Sequence, residues 1–163
     1  MFRRTLLAGV FATLVIFAPA AHSSTVVTAF GPRAGLSVDP DQLVLGGQLS
    51  LQEFAPDWSL DPNLELGFGD GATTIALALD AHYHLRLRGS EWRPYLGAGF
   101  GVAFVSWNSP LGVSDRSDTN LGLNVVGGVS VPMAASHRGF LELRFGVGDL
   151  PTLKIVAGLN FGR

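Results

Sequence analysis

Ten ionisable side chains share one face of a series of segments in which apolar and polar residues alternate. They are Arg33, Asp61, Glu65, Asp80, His82, His84, Arg86, Glu142, Arg144 and Lys154. Cations and anions in nearly equal number can neutralise one another as ion pairs when they share a buried face. The same groups could instead line a narrow path for ions or small solutes. The pattern favours an ion-paired network with a structural role and leaves the pore as the alternative.

His82 and His84 lie two residues apart, so they point to the same side of an extended segment. This spacing can offer two imidazoles to one metal ion, and Asp80 lies nearby. No third ligand is identifiable, so we expect the two histidines to join the polar network. The sequence therefore predicts neither a metal site nor any other cofactor.

An enzyme that modifies membrane lipids needs a serine, a histidine and usually a carboxylate within reach of the lipid ester. Ser50, Ser59 and Ser130 lie on the polar face, but no recognised nucleophile motif surrounds them. The glycines of GAGFG, Gly97 to Gly101, lie within a strand pattern with no helix pattern after them, which indicates packing rather than nucleotide binding. We expect no catalytic residues and no enzymatic activity.

The elements that must position these residues are β-strands, because the apolar pattern repeats every two residues. The alternation predicts eight strands, at about 29–39, 42–52, 57–69, 72–88, 93–107, 119–132, 138–148 and 152–162. The run from Thr73 to Gly89 is longer than the roughly 9–11 residues with which a tilted strand crosses a bilayer. The length indicates a membrane protein, and we expect no helices.

The two faces of the predicted strands differ in charge. The apolar face carries no charged residue, whereas the polar face is rich in small residues, as expected inside a narrow barrel. A cation near the bilayer midplane costs about 2–4 kcal/mol, so the charge-free face should point to lipid. The sequence therefore predicts an all-β fold, an eight-stranded antiparallel up-and-down transmembrane β-barrel, with the ionisable residues in a plugged lumen.

The N-terminus has the pattern of a secretory signal peptide, with Arg3 and Arg4 followed by a short apolar run and small residues. We assign residues 1–23 to a cleaved signal peptide and residues 24–163 to the barrel. Without the two signal arginines, nine basic and thirteen acidic side chains remain, which argues against nucleic acid as a partner. The chain contains no cysteine, so no disulfide is expected.

Three segments, together with the signal peptide, carry a resemblance to a known family: RPYLGAGFGVAF at Arg93–Phe104, ELRFGVG at Glu142–Gly148 and GLNF at Gly158–Phe161. They resemble the small OmpA/OmpX-like outer-membrane β-barrels, the porin-like barrel domains of Gram-negative bacteria. The resemblance implies an outer-membrane location, contact with outer-membrane lipid and insertion by the barrel-assembly machinery, which reads an aromatic residue near the C-terminus. We expect a monomer with a structural or surface-interaction role, whose longest outer loop is Trp107–Thr119.

Overall fold

The computed structural model describes residues 27–107, 116–134 and 136–162. These residues form eight strands: β1 (Val27–Val38), β2 (Gln42–Ala55), β3 (Trp58–Gly69), β4 (Ala72–His84), β5 (Arg93–Trp107), β6 (Arg116–Ala134), β7 (His137–Gly148) and β8 (Leu153–Gly162). No helix in these ranges is long and apolar enough to span a membrane. The strand number expected from the alternation is confirmed.

The eight strands form one closed antiparallel barrel in which each strand pairs with its neighbours in sequence. Closure is made by β1 and β8, where Phe30 lies opposite Phe161 and Leu36 lies opposite Ile155. A closed ladder leaves no sheet edge with unpaired backbone groups. The predicted fold class, an all-β up-and-down barrel, is confirmed.

The period of two places large apolar side chains outside the barrel and polar ones inside. Leu36, Leu79 and Leu96 are 61%, 49% and 60% exposed, whereas Asp80 and Glu142 on the inward face are 0% and 2% exposed. Within the described side chains, no Asp, Glu, Lys or Arg occupies an outward strand position. The barrel is therefore apolar outside and polar inside, as the sequence predicted.

Most strands differ from the predicted bounds by a few residues, and two of these differences affect the ends of the barrel. The fourth strand ends at His84 rather than at residue 88. Its pairing with β3 ends there, because β3 begins at Trp58, opposite Tyr83. On the β5 side, Leu85 N–H still donates to the Pro94 carbonyl oxygen, and the alternation of side chains continues into the link. The sixth strand begins at Arg116, so part of the predicted 107–119 loop extends the β5–β6 ladder.

The barrel has two ends, the mouth and the far end. The mouth is the end at which Val27 and Gly162 lie, together with the links after β2, β4 and β6. The far end carries the links after β1, β3, β5 and β7. The predicted signal peptide and residues 108–115 of the predicted outer loop lie outside the described residues.

Candidate functional site in the barrel lumen

Six charged side chains form a layer across the middle of the lumen, which we call the ion-pair layer: Arg33, Glu65, Asp80, Glu142, Arg144 and Lys154. All six residues are buried, with three cations facing three anions. Glu65 accepts from Lys154 Nζ at 2.6 Å and lies 3.1 Å from Arg33 Nε. The layer is neutral as a whole, which lowers the electrostatic cost of burying each charge.

Glu142 bridges the two arginines of the ion-pair layer. Its Oε1 lies 2.9 Å from Arg33 Nη2 and 3.0 Å from Arg144 Nε, and its Oε2 accepts from the Tyr95 hydroxyl at 2.9 Å. Arg144 also donates to Asp80 on β4, on the opposite side of the lumen. The pairs therefore connect strands that are not neighbours, so the contacts of the layer cross the lumen between opposite walls.

Nearer the mouth, a second cluster forms around Asp61. This carboxylate accepts from the hydroxyls of Ser50 and Ser59 at 2.5 Å each and lies 3.0 Å from His82 Nδ1. The Ser59 oxygen also lies 2.9 Å from His84 Nε2. The ring of Tyr95 stacks on His82, with 4.8 Å between ring centroids, and joins this cluster to the ion-pair layer.

Ser59 and His84 are the residue types of a nucleophile and its base. In a catalytic pair the serine would donate its proton to the histidine, whereas here the histidine donates to the serine. Asp61 can only accept, so the single hydroxyl proton of Ser59 is donated to it. The bond between Ser59 and His84 then requires His84 Nε2 to be the donor. A protonated Nε2 cannot take the serine proton, so this arrangement holds Ser59 in place without activating it.

Glycines on adjacent strands make room for the large inward side chains. A Cβ built on Gly99 would lie 2.8 Å from Cγ of Asp80 and 2.7 Å from the Leu79 carbonyl oxygen. Gly99 is the direct cross-strand partner of Asp80, as Gly97 is of His82. The small inward residues seen in the sequence therefore leave space in the lumen for the charged and aromatic side chains beside them.

Apolar and polar side chains share the lumen between the ion-pair layer and the far end. Val44, Gln42 and Thr74 are buried there, and Leu150 from the β7–β8 link lies against Gly101. An eight-stranded barrel is just wide enough for its side chains to fill the interior.

Nine of the ten ionisable residues singled out in the sequence face the interior. Six form the ion-pair layer, while Asp61, His82 and His84 belong to the cluster nearer the mouth. Arg86 is a correction: its side chain is 74% exposed and pairs with Asp57 in the link region at the mouth. The reason is that β4 ends at His84, so Arg86 lies in the link beyond the strand, at the open mouth.

Sequence reasoning missed several uncharged members of the network. Tyr95 and Asn63 bond to the ion-pair layer, and Gln48 links Arg33 to Asn160 through bonds of 3.0 and 2.8 Å. The alternation of inward and outward residues along β5 would have placed Tyr95 in the lumen, because it lies on the same face as Gly97 and Gly99. Within the described residues, no three His, Cys, Asp or Glu side chains come together as a metal site.

Comparisons with known proteins show the fold. No family model matches the chain, and no curated protein matches its sequence. The N-terminal β-barrel domain of Pseudomonas aeruginosa OprF superposes with a TM-score of 0.67 at 18% identity, covering 84% of this chain and 98% of that one. Neisserial surface protein A gives 0.62 at 17% identity, with coverage of 84% and 94%.

Ail of Yersinia pestis, solved with the heparin analogue sucrose octasulfate, gives a TM-score of 0.54 at 14% identity, with coverage of 83% and 95%. The resemblance drawn from the sequence motifs is thus confirmed at the level of the fold. The chain has the architecture of the small outer-membrane barrels.

Proposed function

We propose that this protein is an integral barrel of the Gram-negative outer membrane whose lumen is plugged, and that it acts through its structure and surfaces rather than by conduction or catalysis. The observation that carries the proposal is the neutral ion-pair layer, buried across the lumen of a barrel whose outward strand positions carry no charge among the described side chains. A soluble barrel would require the reverse arrangement, with charges outside and apolar residues within.

The outward face supports residence in a bilayer. Its strand positions expose large aliphatic and aromatic residues on every side of the closed barrel. At the mouth, Trp58 and Tyr83 stack with 5.3 Å between ring centroids, and Trp92 is 58% exposed. Aromatic residues at the level of the headgroups are typical of outer-membrane barrels. Export by the predicted signal peptide belongs to the same proposal.

The orientation follows from the usual arrangement of such barrels, with short turns on the periplasmic side and longer loops outside. The mouth then faces the periplasm, and the link between β5 and β6 lies at the cell surface. The partners expected are outer-membrane lipid and, during insertion, the assembly machinery. The barrel closes on itself within one chain, which supports a monomer.

Cell fractionation tests the location. Wild-type protein should be recovered with the outer membrane, resist extraction by alkaline carbonate, and migrate faster on a gel when it is not boiled. The chain without residues 1–23 should remain in the cytoplasm and serve as the control for export. Recovery of the mature wild-type protein in the soluble periplasmic fraction would contradict the proposal.

A further inference from the structure

The mouth holds a cavity of about 1070 Å³ that is open to solvent. Its lining comes from several strands and from the β4–β5 link, and includes the hydroxyls of Ser59, Ser130 and Ser136 and the amide of Asn160. Its floor is the cluster around Asp61, which is closed by its own hydrogen bonds. The cavity thus has polar walls and is separate from the ion-pair layer.

The charge on the cavity wall is positive. Arg86, Arg93 and Arg138 line it, and Asp57 is the one carboxylate among its lining residues within the described part of the chain. Asp57 is already paired with Arg86. Among the described residues, no carboxylate oxygen lies within 4.0 Å of Arg93 or Arg138. Two guanidinium groups therefore lack a directly paired carboxylate in this part of the structure.

The two arginines without an ion pair flank the same serine. Arg93 is the cross-strand partner of Ser130, and Arg138 Nε donates to the Ser130 hydroxyl at 2.8 Å. Arg138 is held further by bonds from Nη2 to the carbonyl oxygens of Glu91, at 2.8 Å, and Ser130, at 3.1 Å. Arg138 is thus fixed on Ser130, and Arg93 lies at the strand position opposite the same serine, so an anion bound between the two cations would relieve their mutual repulsion.

We propose that the mouth binds a phosphate group between Arg93 and Arg138. Guanidinium groups match tetrahedral oxyanions through paired N–H donors, and a doubly charged anion can neutralise two of them. Leu85, Leu87 and Trp92, in the adjoining link, are exposed and place this cavity at the depth of lipid headgroups if the barrel spans the membrane. The phosphate can therefore belong to an inner-leaflet phospholipid or to a soluble phosphate ester.

Titration of the refolded mature protein with inorganic phosphate, in an uncharged detergent at low salt, tests the site. Phosphorus NMR or calorimetry should show saturable binding to the wild type. Arg93→Gln should weaken it about tenfold, the effect of losing one charge-assisted contact. Arg88→Gln is the matched control, because Arg88 precedes the same strand but does not line the cavity. Arg88→Gln should leave the affinity unchanged.

Two results would overturn the proposal: no saturable phosphate binding by the wild type, or equal weakening by Arg88→Gln and Arg93→Gln. Arg93→Gln is the decisive variant, because the Arg93 side chain makes no hydrogen bond to another described residue. Replacing Arg138 would also break its bonds to Ser130 and to the Glu91 carbonyl oxygen, which connect parts of the cavity wall. The source of the phosphate follows from repeating the titration in phospholipid nanodiscs. Retained binding of inorganic phosphate indicates a soluble ligand, and competition by the lipid indicates a headgroup.

Discussion

At the scale of single residues, Glu142 joins both arginines of the ion-pair layer to Tyr95. It forms ion pairs with Arg33 and Arg144, and it accepts hydrogen bonds from Arg33 and from the Tyr95 hydroxyl. Neutralising it leaves three cations facing two anions in a buried space. Removal of one partner of a buried ion pair typically costs about 3–5 kcal/mol, since the remaining charge loses its compensation.

We therefore expect Glu142→Gln to lower the free energy of unfolding by about 3–5 kcal/mol. Denaturant titration in detergent micelles, followed by tryptophan fluorescence, measures it. Glu91→Gln provides the control, because Glu91 is exposed in the link before β5 and its carboxylate makes no ion pair within the described residues. Equal stability of Glu142→Gln and the wild type would show that the network does not hold the lumen.

Tyr95 offers a milder test of the same network. Tyr95→Phe removes one hydroxyl that donates to Glu142 and keeps the ring that stacks on His82. A hydrogen bond to a charged group contributes about 1.5–3 kcal/mol, so the loss of stability should be smaller than for Glu142→Gln. The same unfolding titration compares the two variants. A larger loss of stability for Tyr95→Phe than for Glu142→Gln would show that the charge of Glu142 contributes less to stability than the hydrogen bond from the Tyr95 hydroxyl.

At the scale of the strand, glycines in β5 decide how much room the lumen charges have. Gly99→Ala would drive a methyl group into Asp80 and the Leu79 carbonyl oxygen, and overpacking of this kind costs about 1–3 kcal/mol. Gly127→Ala is the control, since a Cβ there meets only Leu96 Cδ2 at 3.7 Å on the outer face. The thermal unfolding temperature should fall for Gly99→Ala and stay near wild type for Gly127→Ala; the opposite order would contradict the packing described here.

The two faces of β4 give a further test at this scale. Leu79→Arg places a cation on the outward face, at a cost of about 2–4 kcal/mol near the bilayer midplane. Ala78→Ser adds a hydroxyl to the inward face beside Gly101 and should be tolerated. The measurement is the fraction of heat-modifiable protein assembled in vesicles. If Leu79→Arg assembled and Ala78→Ser failed to assemble, the inward and outward faces would have been assigned the wrong way round.

The faces of the strands could be predicted from the sequence, because parity alone separates Leu79 from Asp80. The ends of strands could not, since the alternation continues through Leu85 and Leu87 after the pairing of β4 with β3 has ended. The pairing inside the lumen was only partly predictable. Ion pairing of Glu142 with cations follows from the nearly balanced charges on one face, but the contact between Arg144 and Asp80 depends on the registers of several strands at once.

At the scale of the whole molecule, two groups of side chains lie in series along the lumen. The ion-pair layer crosses the middle, and apolar and polar side chains with Leu150 occupy the space toward the far end. The open cavity lies between the mouth and the cluster around Asp61. We propose that these side chains plug the lumen, which leaves the surfaces at the two ends of the barrel for contact with other molecules.

The most direct test of the plugged lumen is the conductance of the refolded wild-type protein in a planar lipid bilayer. If the lumen is plugged as we propose, no current steps should rise above the bare membrane at moderate voltage and salt. A porin reconstituted in the same way should give clear steps and show that the assay works. Steady, reproducible conductance of the wild type would contradict the plugged lumen and establish the narrow pore instead.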